Sequence, residues 1–153
     1  MLPTPTKFTL VAGSAEGPTR LNAFDNALLR AGIGNLNLVR VSSILPPGAQ
    51  EVPTLAVPPG TLLPCAYGTI TSEVAGEWIA AAVAVGIGDR DRYGVIMEFS
   101  GRCGRAEAEA AVREMAEAAF AERGLKLERV LVQATEHQVR SIGCALAAVA
   151  LWY

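Results

Sequence analysis

The sequence predicts a single α+β domain, and three observations carry that expectation. Short β-prone runs outnumber helical ones, only two segments show firm helical periodicity, and the two kinds are grouped rather than alternating as in a βαβ chain. At 153 residues the chain suits one well-packed core and is short for two. Its residues are 51% hydrophobic and 18% charged, so apolar interior is plentiful and polar surface thin. That imbalance points to an oligomer whose neighbours cover part of the surface.

Phe8 to Ala12 reads as a short strand, followed by the turn-rich Gly13-Ser14-Ala15-Glu16-Gly17-Pro18, which lacks the lysine and spacing of a phosphate-binding loop. Leu21 to Arg30 reads as a helix, with Leu21, Phe24 and Leu28 on one side and Gly32 as a stop signal. Asp25 falls about 40° from Leu21 and between Leu28 and Leu29, inside the apolar arc. A carboxylate so placed needs a cationic or hydrogen-bonding partner. Gly32-Ile33-Gly34 follows a helix, so it reads as a turn and not as a dinucleotide fingerprint.

Asn35 to Ser43 is expected to form a strand that runs into Arg40-Val41-Ser42-Ser43-Ile44-Leu45-Pro46-Pro47 and stops against the double proline. Residues 44–65 hold six of the nine prolines, Pro46, Pro47, Pro53, Pro58, Pro59 and Pro64. That density predicts a long, stiff surface excursion and excludes a central strand. Ala66 to Ser72 and Trp78 to Ile87 look extended, the second with Ala81, Val83, Val85 and Ile87 on one face and small alanines on the other; a buried helix is the alternative there. Asp89-Arg90-Asp91-Arg92 is a charged turn and Tyr93 to Phe99 a strand. Arg105 to Arg123, ended by Gly124, is the clearest helix, with Ala111, Val112, Met115 and Phe120 expected toward the core. Leu127 to Ala134 and Ile142 to Trp152 close the chain as strands.

Several function classes are disfavoured. A net charge of −2 and a pI near 5.4, without a basic cluster, argue against a nucleic-acid groove or an anionic membrane surface. Cys65, Cys103 and Cys144 are odd in number and widely spaced, fitting reduced thiols better than a disulfide framework or a zinc site. The first residues lack the pattern of a signal peptide, and the longest apolar runs, Ile79 to Gly88 and Ile142 to Tyr153, are short for a bilayer. A soluble, cytoplasmic protein acting on small molecules is expected.

Glu98 stands in the apolar run Gly94-Val95-Ile96-Met97-Glu98-Phe99. Burial disfavours the charged carboxylate and raises its pKa, which suits a proton donor near neutral pH; a strand-edge glutamate reaching water is the plainer reading. The only histidine, His137, sits in an expected turn without a second histidine, so neither a metal site nor a Ser-His triad is indicated. An enzyme built this way needs another source of electrophile. Attack of the Ser43 hydroxyl on the Ser42 carbonyl, followed by β-elimination and hydrolysis, would supply a pyruvoyl group, and a strand end pinned by Pro46-Pro47 suits such a reaction.

These residues closely resemble the pyruvoyl-dependent arginine decarboxylases over nearly the whole chain. The matching strings are Leu10-Val11-Ala12-Gly13-Ser14, Leu21-Asn22-Ala23-Phe24-Asp25, Gly32-Ile33-Gly34-Asn35, Val41-Ser42-Ser43-Ile44, Pro64, Ala66-Tyr67-Gly68, Ile96-Met97-Glu98, Gly143-Cys144-Ala145 and Ala150-Leu151-Trp152-Tyr153. The resemblance implies a layered αββα sandwich, self-cleaved between Ser42 and Ser43 into chains 1–42 and 43–153. It also implies assembly as a trimer or dimer of trimers with active sites between subunits. The implied reaction converts arginine to agmatine and CO2, with arginine's amine condensing onto the pyruvoyl group of residue 43. Glu98 matches the family's proton donor, Asp25 its guanidinium partner and Asn37 a further active-site asparagine. Asn37 and Ser43 are six residues apart, roughly 20 Å along an extended strand. Either the strand bends between them or Asn37 serves a site completed by another subunit, and the second is expected. The competing readings are an unprocessed small-molecule-binding domain of the same fold and a decarboxylase for another basic amino acid.

Overall fold

Strands that are apolar on both faces must be covered on both sides, and this chain has two sheets and two helices with which to cover them. A computed structural model describes all 153 residues. The strands are β1 (Lys7–Glu16), β2 (Asn37–Arg40), β3 (Ile44–Leu45), β4 (Gln50–Glu51), β5 (Leu62–Ser72), β6 (Trp78–Ile87), β7 (Gly94–Gly101), β8 (Arg129–Gln138) and β9 (Gly143–Trp152); the helices are α1 (Arg20–Ala31) and α2 (Arg105–Glu122). One sheet has the order β2-β5-β9-β1-β4 and the other β3-β7-β6-β8. The five-stranded sheet is mixed, since β1–β4 and β2–β5 pair parallel, whereas the four-stranded sheet is antiparallel throughout.

Three clusters define the packing. Phe8, Ile79, Ala81, Val83, Val85, Ile96, Ala147 and Val149 draw the inner faces of both sheets together. Ala23, Ala27 and Leu28 of α1 pack on Cys65, Cys144, Leu146 and Ala148, on the outer face of the five-stranded sheet. Ala108, Val112 and Ala116 of α2 pack on Ala80, Ala82 and Ala84, on the outer face of the other. β6 therefore alternates as its sequence predicts, Ala81, Val83 and Val85 inward and Ala80, Ala82 and Ala84 toward α2, and is extended rather than helical.

Local signals explain the helix ends. Thr19 accepts a hydrogen bond from the Asn22 N–H at the start of α1, a cap that stabilises by about 1 kcal/mol. Gly32 closes the helix with φ of 85°, the left-handed conformation that glycine adopts without strain. On α2, Met115 is exposed, whereas Ala108, Ala116 and Ala119 join Val112 and Phe120 in the core. A thin alanine face lets α2 sit close to an alanine-rich strand, and the larger methionine is left outside.

Three other expectations are corrected. Gly13 to Glu16 is not a loop but the second half of β1. Gly13 is there for space, because a Cβ on it would lie 2.6 Å from the Ala27 carbonyl oxygen of α1. Pro64 lies inside β5, an interior strand, opposite Val39. Its missing N–H is tolerated because β5 begins to pair with β9 only at Cys65. Lastly, the strand expected over Asn35 to Ser43 ends at Arg40, and the chain then changes sheets.

His137 lies in β8, not in a turn, and it ties the sheets at the edge away from β2. Its Nε2 is 2.5 Å from Glu16 Oε2 on β1, while Glu16 Oε1 accepts from the backbone N–H groups of Ser141 (2.7 Å) and Arg140 (3.2 Å). Burial pushes the Glu16 carboxyl up, but the bonds from His137, Ser141 and Arg140 outweigh it and hold the carboxyl below its ordinary value of 4.5. A depressed folded value means that this tie stabilises above the ordinary value and is lost as pH falls through the folded one. Glu16→Gln is therefore expected to lower the thermal midpoint near pH 7 and to lower it less as the pH falls below 4.5. A loss that stays constant as the pH is lowered, read by calorimetry, would contradict the assignment.

Candidate functional site

Between Arg40 and Ile44 the chain leaves one sheet and enters the other. The Val41 N–H continues the β2–β5 ladder by donating to the Cys65 carbonyl at 3.2 Å. On the other side the Ile96 N–H donates to the Ser43 carbonyl at 2.7 Å, just ahead of the Ile44–Val95 pair of β3 and β7. The Ser42–Ser43 peptide is thus suspended between two anchors on different sheets. Ser42 itself is exposed and Ser43 half-buried. The turn after β3 is closed by a hydrogen bond from the Ala49 N–H to the Pro46 carbonyl, so the proline pair stiffens the exit as expected.

Glu98 lies two residues beyond Ile96 on β7, about 7 Å along the strand and on the same, inward face. It is opposite Val83 in the ladder with β6. From the facing sheet β5 presents Gly68, where an added Cβ would come within 3.3 Å of the Glu98 Cβ, so the glycine leaves room for the carboxyl. The Glu98 side chain keeps 28% of its surface accessible. It is neither a wholly solvated strand-edge glutamate nor a sealed one. Burial pushes its carboxyl above the ordinary value, and the Arg40 guanidinium pulls in the opposite direction without cancelling that rise.

Two residues beside Glu98 escaped the sequence reading. Arg40 Nη2 stands 3.9 Å from Glu98 Oε1 and donates to the Tyr67 carbonyl at 2.5 Å, while its guanidinium carbon is 4.4 Å from the centre of the Tyr67 ring. The ring of Tyr67 in turn lies 6.4 Å from that of Phe24 on α1. One signal for Arg40 was present, since it is the only basic residue between Arg30 and Arg90. Below this group Cys65 is buried and its thiol is pushed up to about 12 by burial, so it is an inert filler.

The remaining sequence candidates lie apart from this group. Asp25 is exposed and makes no ion pair or side-chain hydrogen bond within the chain. Its neighbours one turn away, Leu21 and Leu29, are also exposed, at 75% and 49%. The expectation of one apolar arc around Asp25 is corrected: α1 has a buried Ala23-Ala27-Leu28 face and a separate outward stripe of Leu21, Asp25 and Leu29. Asn37 is at the start of β2, with its amide donating to the Gly60 carbonyl at 2.9 Å. The chain does turn aside between Asn37 and Ser43, because β2 ends at Arg40. No group of three or more histidine, cysteine or carboxylate side chains suited to a metal occurs, and no helix is long and apolar enough to cross a membrane.

Comparison with known proteins places this arrangement in one family. Residues 7–153 match the family model described as pyruvoyl-dependent arginine decarboxylase (PvlArgDC). A protein of that name from Methanocaldococcus jannaschii is 55% identical over 150 residues, covering 97% of this chain and 91% of the relative. One from Methanococcus aeolicus is 49% identical over 97% of this chain and 91% of its own length. Another, from Pyrococcus horikoshii, is 43% identical over 98% of this chain and 96% of the relative. With a match running through both sheets, both helices and the crossing at Ser42–Ser43, the chain belongs to the pyruvoyl-dependent arginine decarboxylase family.

Proposed function

We propose that this chain is a self-processing decarboxylase that converts L-arginine to agmatine and CO2 through a pyruvoyl group made from Ser43. The observation that carries this reading is a Ser-Ser peptide pinned between two sheets with a half-buried carboxyl, Glu98, two residues along β7 from one of its anchors. Buried clusters that join the sheets to each other, α1 to one sheet and α2 to the other support an αββα sandwich and the same reading.

The residues present fit the group. Ser43 carries the hydroxyl that attacks the Ser42 carbonyl carbon; the peptide C–N bond breaks and its nitrogen takes a proton, leaving an ester. Loss of the residue 43 α-proton then breaks the Cβ–Oγ bond and releases the Ser42 carboxylate, and water replaces the nitrogen as ammonia. Chains 1–42 and 43–153 result. The Ile96 N–H donates to the Ser43 carbonyl oxygen in the uncut chain, and a donor kept there would favour negative charge on that oxygen. When formed, the pyruvoyl carbonyls supply an electron sink for the pair left behind as the carboxyl departs.

Glu98 then delivers a proton to the carbon that lost CO2, and its raised pKa keeps that proton available toward neutral pH. Asp25 pairs with the substrate guanidinium, and its outward stripe with Leu21 and Leu29 is suited to do so at a neighbouring copy. The exposed Val39 and Leu62 add to an apolar surface that fits a trimer, and Asn37 completes the substrate site from that edge. Three free thiols fit a cytoplasmic setting.

Intact mass of the denatured protein tests processing. Two chains split after Ser42, the larger blocked to amino-terminal sequencing, are expected; a single 16.0 kDa chain in mature preparations would sink the reading. Glu98→Gln should still cleave but lose decarboxylation by a factor of 100 or more, roughly the scale of a removed proton donor. Near-normal turnover would release Glu98 from that role. For Asp25→Asn we expect weaker arginine binding with cleavage preserved, and calorimetric affinity equal to the parent would count against the guanidinium pairing.

A further inference from the structure

Arg40 occupies a position that a strand would otherwise fill. Along the exposed side of β5, successive acceptors toward β2 are two residues apart: the Cys65 carbonyl takes the Val41 N–H, and the Tyr67 carbonyl comes next. Since the chain turns to the other sheet after Val41, no backbone N–H reaches Tyr67 from that side, and the Arg40 guanidinium bonds there instead. Stacking on the Tyr67 ring fixes its plane. The nitrogen that bonds the Tyr67 carbonyl is the one that faces Glu98 Oε1.

We propose that Arg40 is a positioning residue of the decarboxylase: clamped on Tyr67, it anchors the Glu98 carboxyl at the edge of the inter-sheet gap and balances its charge. This rests on Glu98 being the proton donor. Arg40 is the one cation that acts on Glu98. From other elements β5 places Gly68 and β6 places Val83 against Glu98, while the Cys65 thiol, on the α1 side of β5, is held neutral by burial. None of these supplies a second positive charge. The small chain thereby contributes a charge to the acid of the large chain.

The sign of the effect follows. Glu98 must carry its proton to donate it, so turnover falls as pH rises through its pKa. Burial raises that value and Arg40 lowers it, so a neutral residue at position 40 moves the fall to higher pH. A full charge at about 4 Å in a largely hydrated setting corresponds to a shift of roughly 0.5 to 1 pH unit.

Arg40→Gln keeps a donor for the Tyr67 carbonyl and removes the charge, whereas Arg40→Lys keeps the charge. The alkaline limb of the kcat profile is expected to move up in Arg40→Gln and to stay in place in Arg40→Lys. The second readout is a carbon-13 titration of the Glu98 carboxyl in the intact oligomer, identified by its disappearance in Glu98→Gln, and it should move with the limb. No movement in Arg40→Gln, or equal movement in both variants, overturns the proposal. If Arg40→Gln does not accumulate as the folded oligomer, Tyr67→Leu removes the ring beneath the guanidinium and is expected to shift the titration the same way; an unshifted titration there overturns it equally. An uncut wild-type chain defeats the self-processing reading instead, and the Glu98 titration on that chain still decides the Arg40 contact.

Discussion

The structure depends on a chain crossing. Two sheets stacked face to face leave open edges, and at one edge the backbone passes from the five-stranded sheet to the four-stranded one within the three residues after Arg40. Its two anchoring hydrogen bonds belong to different sheets, so the intervening peptide cannot relax toward either without breaking a ladder. A bond held in this way has its neighbours fixed while it remains near solvent. Self-cleavage asks for that combination, a peptide unable to rotate out of reach and a carbonyl still accessible to its own side chain.

The acid is set by two opposed effects of unequal size. The inner faces around Glu98 are built from alanine, valine, isoleucine and glycine, which withdraw water from the carboxyl and favour its protonated form. Arg40 favours the charged form, but more than half of its own side-chain surface is accessible, so solvent weakens the attraction. Burial wins. The outcome is a carboxyl that still reaches the surface yet holds its proton more firmly than a free one, a shift in the direction that general-acid chemistry favours.

Elements whose own composition decides them were legible in the sequence. β6 is apolar along both faces, which an interior strand of a covered sheet or a buried helix accommodates, and the strand that forms has the bounds its residues predict. Thr19 and Gly32 bracket α1, and Gly124 follows α2. Glu98 stood out because a carboxylate interrupts an apolar run. What stayed hidden depends on neighbours distant in sequence. The Asn35 to Ser43 run has uniform strand propensity, and it breaks because two sheets compete for its halves. Gly13 reads as a turn residue until α1 packs against it, and Pro64 reads as a breaker until the ladder is seen to start one residue later. Which side of α1 faces in was ambiguous, because leucines lie on both and the alanines that are buried give a weak signal.

Cleavage after Ser42 would not release a detachable tail. The first 42 residues supply β1, α1 and β2, and β1 lies between β9 and β4 with ten residues paired to β9. Ala23, Ala27 and Leu28 of α1 are sealed against β5 and β9, while β2 carries Arg40 to the edge of β5. Separating the two chains would expose an apolar sheet face and break a full ladder, a cost of many kcal/mol on any area-based reckoning. Such a cut would therefore change covalent connectivity at one peptide while the packing persisted. Under the proposed reading, the new end at residue 43 remains beside Glu98 of its own chain and Arg40 of the other, so the site is joint property of both chains.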